Sequence, residues 1–267
     1  MKTEIVDISI TSMIFVYLLA FVLYLVLKKI KSGNDKNFIK SLLRMSIQLL
    51  LVGYILRYIF ALNSLGVILI VYLIMSVFAA HTIISKVNVR IKNQFLIVFI
   101  PILFIGLGLT LFFLIFIAKS TPWYDARYFI PVAGMILGNS MNACALSIER
   151  LVSEIKTNMG KVETLISLGA TPFEAASDEI FKAIRAASLP IITNMSGIGI
   201  VFLPGLMTGQ ILSGTDPIVS IKYQIAIMIC IVSSLSFSSI AIIFLTYKNF
   251  FTIRGQLNKN FLGEQSV

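Results

Sequence analysis

Charge is scarce in this chain. Of 267 residues only 13% are Asp, Glu, Lys or Arg, against 58% hydrophobic, and the mean hydropathy is +0.94. That composition excludes a soluble globule of ordinary makeup. Cysteine is nearly absent: Cys144 and Cys230 are far apart and each lies in an apolar run, so neither a disulfide framework nor a paired-cysteine metal motif is indicated. His81 is the only histidine, which excludes a histidine-rich metal centre and leaves it an interfacial hydrogen-bonding role. No Walker-type phosphate loop and no nucleophile-base pair is present, so the chain is not expected to be an enzyme or to hydrolyse ATP alone. Acid is missing where a proton pump would need it. Every Asp and Glu falls in a connection, a tail or the edge of an apolar run, which leaves no carboxylate relay and argues against a self-contained secondary transporter.

The long apolar runs predict an all-α, polytopic membrane bundle. Uncharged stretches cover residues 8–27, 58–85, 93–118, 128–148, 186–215 and 223–247, each long enough for about 30 Å of hydrocarbon. A further span fits within 41–62, where Arg44 and Arg57 can snorkel from its ends. About seven transmembrane helices are expected, and the alternation of a membrane barrel is absent. Glu4 and Asp7 flank the first run, which lacks the basic start of a signal peptide and is expected to remain as a span.

Orientation follows from the cations. With the N-terminus outside, 17 of the 22 Lys and Arg residues face the cytoplasm, among them Lys28, Lys36, Lys40, Arg44, Lys86, Arg90, Lys92, Lys156 and Lys259, while Lys2 stays outside. Basic loops beside anionic lipid account for the net charge of +10, and no platform for nucleic acid is present. One membrane domain, 1–248, is expected, followed by a short cytoplasmic tail, 249–267, in a multi-pass protein of the cell membrane.

Residues 149–187 form the one long hydrophilic segment. Leu151, Ile155, Val162, Leu165 and Ile166 recur at helical spacing among charges, predicting an amphipathic helix. Then comes Leu168-Gly169-Ala170-Thr171-Pro172. Gly169 suits the left-handed position after a helix end, Thr171 caps the next helix, Pro172 fits its first position and Glu174 completes a capping box. The second helix is expected to run to Leu189-Pro190 at the membrane. A stiff corner between two helices, on the cytoplasmic side, is the consequence.

Within the apolar runs, Gly134 and Gly138, like Gly205 and Gly209, form small-xxx-small stripes that would let helices approach closely, in one subunit or across a dimer. Gly197, Gly199, Pro204 and Gly205 predict a kink or break within 186–215. Broken helices are tolerated where protein or a water-filled path satisfies the freed backbone, so the runs 128–148 and 186–215 are the preferred pathway walls. Asn139, Asn142, Asn194, Met135, Met141, Met207 and Cys144 are pathway or helix-packing candidates; Met141 and Cys144, three apart, are expected on one helix face. Thioether and thiol ligands suit copper(I) better than iron(II), and no metal ligand is assigned.

Two resemblances follow. Glu163 and Gly169 stand at the spacing of the cytoplasmic loop motif of ABC importer permeases, with Thr164-Leu165 in place of its paired alanines and Leu189-Pro190 about two helical turns too far along. More closely, Arg44-x3-Gln48-Leu49, Val52-Gly53-Tyr54, Ile130-Pro131-Val132-Ala133-Gly134-Met135, Gly138-Asn139, Leu203-Pro204-Gly205-x-Met207-x-Gly209 and Asp216-Pro217 occur in the order of the FetB-type iron-export permease family, which the chain resembles from about Arg44 to Tyr247. That resemblance implies the membrane half of a two-component ABC exporter for iron or a related metal ion; plant relatives are linked to aluminium tolerance. It implies a permease homodimer in the bilayer and a separate ATPase subunit that carries ATP and Mg, with no cofactor bound by this chain. Glu163, Leu168, Gly169, Ala170, Thr171, Pro172 and Glu174 then become the ATPase-coupling residues. A secondary transporter or channel for a metal ion or small solute is the alternative.

Overall fold

The computed structural model describes residues 8–31, 33, 35–87, 93–252 and 254–258. Glu4, Asp7, Lys2, Arg90, Lys92, Lys259 and the end of the expected tail lie outside them. The described residues are helical throughout, apart from turns and two isolated bridges. In chain order the helices are α1 (Ile10–Lys29), α2 (Asp35–Leu62), α3 (Leu65–Lys86), α4 (Gln94–Phe112, continued by a π-turn over Phe113–Ile117), α5 (Ala126–Thr157), α6 (Met159–Ser167), α7 (Pro172–Gly197), α8 (Gly205–Leu212) and α9 (Pro217–Thr246).

Local chemistry fixes the starts of the long helices. Asp125 accepts the Arg127 amide at the head of α5, and Asp216 accepts the amides of Ile218 and Val219 at the head of α9, where Pro217 needs no partner. Among the described residues six helices are long and apolar enough to cross a membrane: α1, α2, α3, α4 with its π-turn, α5 and α9 with the turn that follows it. The seventh expected span is not one helix. The run 186–215 is shared between the end of α7, a turn over 198–204, and the eight-residue α8. The break falls where Gly197, Gly199 and Pro204 predict it, because Gly199 adopts a positive φ of 85° and Pro204 opens α8.

The hydrophilic segment also differs in register. The helix expected through Ile166 is divided at Asn158, since α5 runs unbroken out of the bundle to Thr157 before α6 begins. Helix α7 does not stop at Leu189-Pro190 but carries Pro190 in its interior as far as Gly197.

The core lies around α5 and α9. Helix α5 packs against α3, α4, α7 and α9, and α9 also touches α4, α7 and α8. Between them runs a buried seam of small hydroxyls: Ser140 meets Ser234 at 3.0 Å, and the Cys144 thiol meets Ser239 at 3.7 Å. Small side chains allow the two helices to approach closely, and their hydroxyls satisfy one another in a medium without water. Close approach by glycine occurs elsewhere, at Gly106 on α4. A Cβ there would lie 2.8 Å from both the Leu137 side chain and the Tyr72 hydroxyl, which donates to the Leu103 carbonyl.

Helices α1 and α2 form a hairpin at the edge, joined by the Tyr17 hydroxyl donating to Ser46 at 2.8 Å. Helix α1 buries no residue and α2 buries only Ile59, as expected of elements facing lipid. The last turns of α1, α3 and α5 carry Lys28 and Lys29, Lys86, and Lys156, which defines a basic end of the bundle.

The start of the expected tail is not free. Phe250, Phe251 and Leu257 are buried, the Thr252 amide donates to Gln256 and the Asn258 amide donates back to Phe250. This small hairpin sits against α6 and the start of α7, with Gly255 beside the Pro172 ring.

Candidate functional site

A polar groove opens between α5 and α7. It is a cavity of about 210 Å³ to which Asn139 and Asn142 of α5 and Pro190 and Asn194 of α7 contribute, with Leu235 of α9 at its base. Two of these asparagines come from one helix and one from another, all inside runs that are otherwise apolar. Asn139 spends one amide hydrogen on the Met135 carbonyl one turn back, whereas Asn142 and Asn194 are exposed to the groove. Three carboxamides offer carbonyl oxygens to a cation and N–H groups to water, and the volume accommodates several waters. The lining residues carry no charge, so the groove is neutral, and among the described residues no cluster of three His, Cys, Asp or Glu side chains is positioned to hold a metal ion.

The remaining sulfur and glycine candidates do not join it. Cys144 is fully buried against α9, while Met141 lines a different cavity between α2, α3 and α5. The two residues expected on one face are thus separated, because α5 has different neighbours around it and a step of three positions crosses from the α2–α3 side to α9. Gly134 and Gly138 also line the second cavity. A Cβ at Gly138 would meet nothing within 4 Å, and one at Gly134 would meet only the Met75 methyl at 3.5 Å, so this stripe makes no close helix contact within the subunit. Gly205 and Gly209 likewise have open space where a Cβ would stand. Met207 is buried against the bundle at the start of α8, after Pro204. Beside this break the turn exposes apolar side chains: Ile200 is 90% and Val201 79% exposed.

The corner forms as its residues dictate. Gly169 stands at φ 96°, its amide donates to the Ile166 carbonyl at 2.9 Å and the Ala170 amide reaches the Leu165 carbonyl at 3.0 Å, the two bonds of a Schellman closure. Thr171 then caps α7. Its hydroxyl accepts the Glu174 amide, and the Glu174 carboxylate accepts from the Thr171 amide at 2.8 Å. These hydrogen bonds, from the Thr171 backbone first and its hydroxyl second, hold the Glu174 carboxyl below its ordinary pKa. Leu168 projects from the turn, 79% exposed, and Ala170 is half-buried beside it. Glu163 lines a small cleft between α6 and the C-terminal hairpin with Ile166, Ser167, Gln256 and Leu257.

One contact fastens the corner to the bundle, and another ties its two helices to each other. Phe173 stacks on Phe244 and meets Tyr247 edge-on, fastening the start of α7 to the end of α9. Lys161 of α6 bonds Asp178 of α7 at 2.6 Å and stands 3.7 Å from Glu179, whose side chain is fully buried and whose oxygens accept no hydrogen bond. The Asp178 contact raises the Lys161 pKa and lowers that of Asp178. In sequence Glu179 stands with Asp178 and Lys182, off the face of Phe173, Ala176, Ile180 and Ile184, yet it is buried. Its signal is weak, because Glu179 adjoins Ile180 and only the packing of α6 decides which side of the charged stripe is covered. The aromatic trio and the hairpin that buttress the corner also escape the sequence reading, since both are contacts between segments 70 or more positions apart.

The sequence has relatives among known proteins. The model of the Uncharacterised protein family (UPF0014) matches residues 10–251. The chain is 38% identical over 219 residues to a UPF0014 membrane protein of Synechocystis sp., covering 80% of this chain and 83% of that one. It is 35% identical over 246 residues to the Probable iron export permease protein FetB of Escherichia coli, covering 92% and 93%, and 32% identical over 223 residues to the protein ALUMINUM SENSITIVE 3 of Arabidopsis thaliana, covering 84% and 80%. No solved structure matches the chain. With its family pattern spanning nearly every helix, this multi-pass, all-helical membrane protein belongs to the UPF0014 family.

Proposed function

We propose that this chain is the membrane subunit of an ABC transporter that exports iron or a related metal ion with ATP hydrolysed by a separate subunit. One observation carries the reading: a single helix, α7, begins at the capped corner and ends in the asparagine groove. From Pro172 to Pro190 it rises about 27 Å, so a displacement of the corner is carried along one helix to the groove, where Pro190 stands one turn before Asn194. The name of the Escherichia coli relative supports an iron-exporting permease.

In this reading the basic end faces the cytoplasm, and the ATPase grips Leu168, Ala170 and the flanking turns of α6 and α7. The ATPase carries ATP and Mg, and this chain contributes no catalytic residue. ATP-driven closure of two ATPases pushes two corners, one on each permease of a homodimer. The open stripes at Gly134–Gly138 and Gly205–Gly209 and the apolar turn at Ile200 and Val201 supply surfaces for a second copy or for lipid. The groove passes the ion by exchanging water for carboxamide oxygens, a neutral path that binds weakly enough to release.

Copurification tests the partnership. A tagged permease, extracted in mild detergent with a soluble ATPase subunit encoded beside it, should retain that subunit, and Ala170→Asp should release it or uncouple its ATP hydrolysis while membrane insertion is unchanged. A permease that never retains an ATPase, and that moves metal across vesicles without one, would be a self-contained secondary transporter.

A further inference from the structure

The second cavity, between α2, α3 and α5, has a volume of about 540 Å³, well within the range of built ligand sites. Its walls are apolar, formed by residues such as Leu51, Val52, Ile55, Met75 and Phe78, and its single polar side chain is Gln48. Space of this kind within a hydrocarbon layer does not stay empty, because its walls would forfeit their dispersion contacts. What distinguishes it from ordinary lipid-facing surface is the row leading into it. Lys36, Lys40, Arg44 and Gln48 follow at intervals of four along one side of α2, from the basic end inward. The Arg44 guanidinium lies 5.2 Å from the ring centre of Phe78, which fixes it at the cavity's rim. Among the described residues none of the three cations forms an ion pair.

We propose that this cavity binds one anionic glycerophospholipid of the leaflet at the basic end, its phosphate on Arg44 and Lys40 and one acyl chain between α2, α3 and α5. The order of polarity along α2 is that of the lipid. Cations come first, then the Gln48 amide about 6 Å further along the axis, at the depth of a glycerol ester, then Leu51, Val52 and Ile55 over about 10 Å of tail. Zwitterionic lipid satisfies the apolar walls equally but gains less from a row of three cations, beside which α2 carries only Asp35, in no ion pair with them. A second copy of this chain is a poorer occupant. A two-fold contact through this face would set the same cation row against itself.

The full chain, reconstituted with equimolar phosphatidylglycerol and phosphatidylcholine of matched acyl chains and examined by native mass spectrometry, tests the assignment. Wild type should retain phosphatidylglycerol in preference to phosphatidylcholine. Arg44→Gln should cut that preference about fivefold, the worth of one cation at a lipid surface. Gly138→Leu, which fills the cavity from α5, should lower retention of both lipids. Should the leucine variant fail to fold, the Arg44→Gln comparison decides alone, since that side chain is exposed. Equal retention of the two lipids by wild type, or an unchanged preference in Arg44→Gln, overturns the proposal. A dimer that survives delipidation and is broken by Gly138→Leu overturns it in favour of a second copy.

Discussion

Substitution of Gly169 by alanine should loosen the corner without disturbing the bundle. At φ 96° an L-residue carries a steric penalty of about 1–2 kcal/mol, and glycine carries none. No packing cost adds to it, because a Cβ at this position meets nothing within 4 Å. Alanine recovers about 0.4–1 kcal/mol by restricting the unfolded chain, which leaves a net loss of about 1 kcal/mol. That corresponds to roughly a fivefold rise in the population of the opened turn. Hydrogen exchange reads it directly: the amides of residues 169 and 170, which close the Schellman motif on Ile166 and Leu165, should exchange about fivefold faster. Amides in the core of α5 and α9 should keep their rates. Gly169→Asn should fall between wild type and alanine, since asparagine tolerates the left-handed region. Unchanged exchange at residue 170 in Gly169→Ala, or an asparagine variant looser than alanine, would refute the conformational argument.

Further consequences attach to the neighbours of that turn. The Glu174 carboxyl titrates below its ordinary value of 4.5, so the capping box contributes fully above that value and is lost only as pH falls through the lower, folded-state pKa; the Thr171 amide, which donates to that carboxylate, should therefore keep its protection against exchange at pH 5 and lose it only in stronger acid. Glu179→Met should leave thermal stability unchanged or raise it by up to about 2 kcal/mol, because a buried carboxylate without hydrogen bonds is replaced by apolar volume, whereas Lys161→Met should lower it by stranding that charge; equal losses in both would show that the pair is net stabilising. Gly106→Ala should cost about 1–2 kcal/mol in detergent melting through its contacts with Leu137 and Tyr72, and a stability equal to wild type would mean those side chains yield freely.

How far the sequence carries the fold depends on whether a feature is local. The capping box, the left-handed glycine and the break before Pro204 are each dictated by neighbouring residues, and all three stand where their chemistry puts them. Asn139, Asn142 and Asn194 are legible as polar groups in apolar runs, but their meeting in one groove is a property of the α5–α7 contact. Within the subunit the small-residue rule operates at other positions than the glycine stripes. Gly134 and Gly138 open onto a cavity, while the close approaches are made by Gly106 and by the serines joining α5 to α9. Nothing along α7 separates Asp178, which is exposed, from Glu179, which is buried; the distinction arises when α6 folds over one side. Likewise the apolar residues Phe250, Phe251 and Leu257 are too few to announce a hairpin, and acquire their role only beside the corner they support.

The central claim is that movement of the corner, driven by a partner's ATP hydrolysis, opens the asparagine groove. Proteoliposomes containing the purified protein with the proposed ATPase subunit, assayed for movement of iron, manganese, copper and zinc, give the direct test. Metal movement should require ATP and the ATPase, and should be lost in Ala170→Asp while ATP hydrolysis continues. Metal movement at the same rate from the permease alone, or undiminished coupled transport in Ala170→Asp, would contradict it.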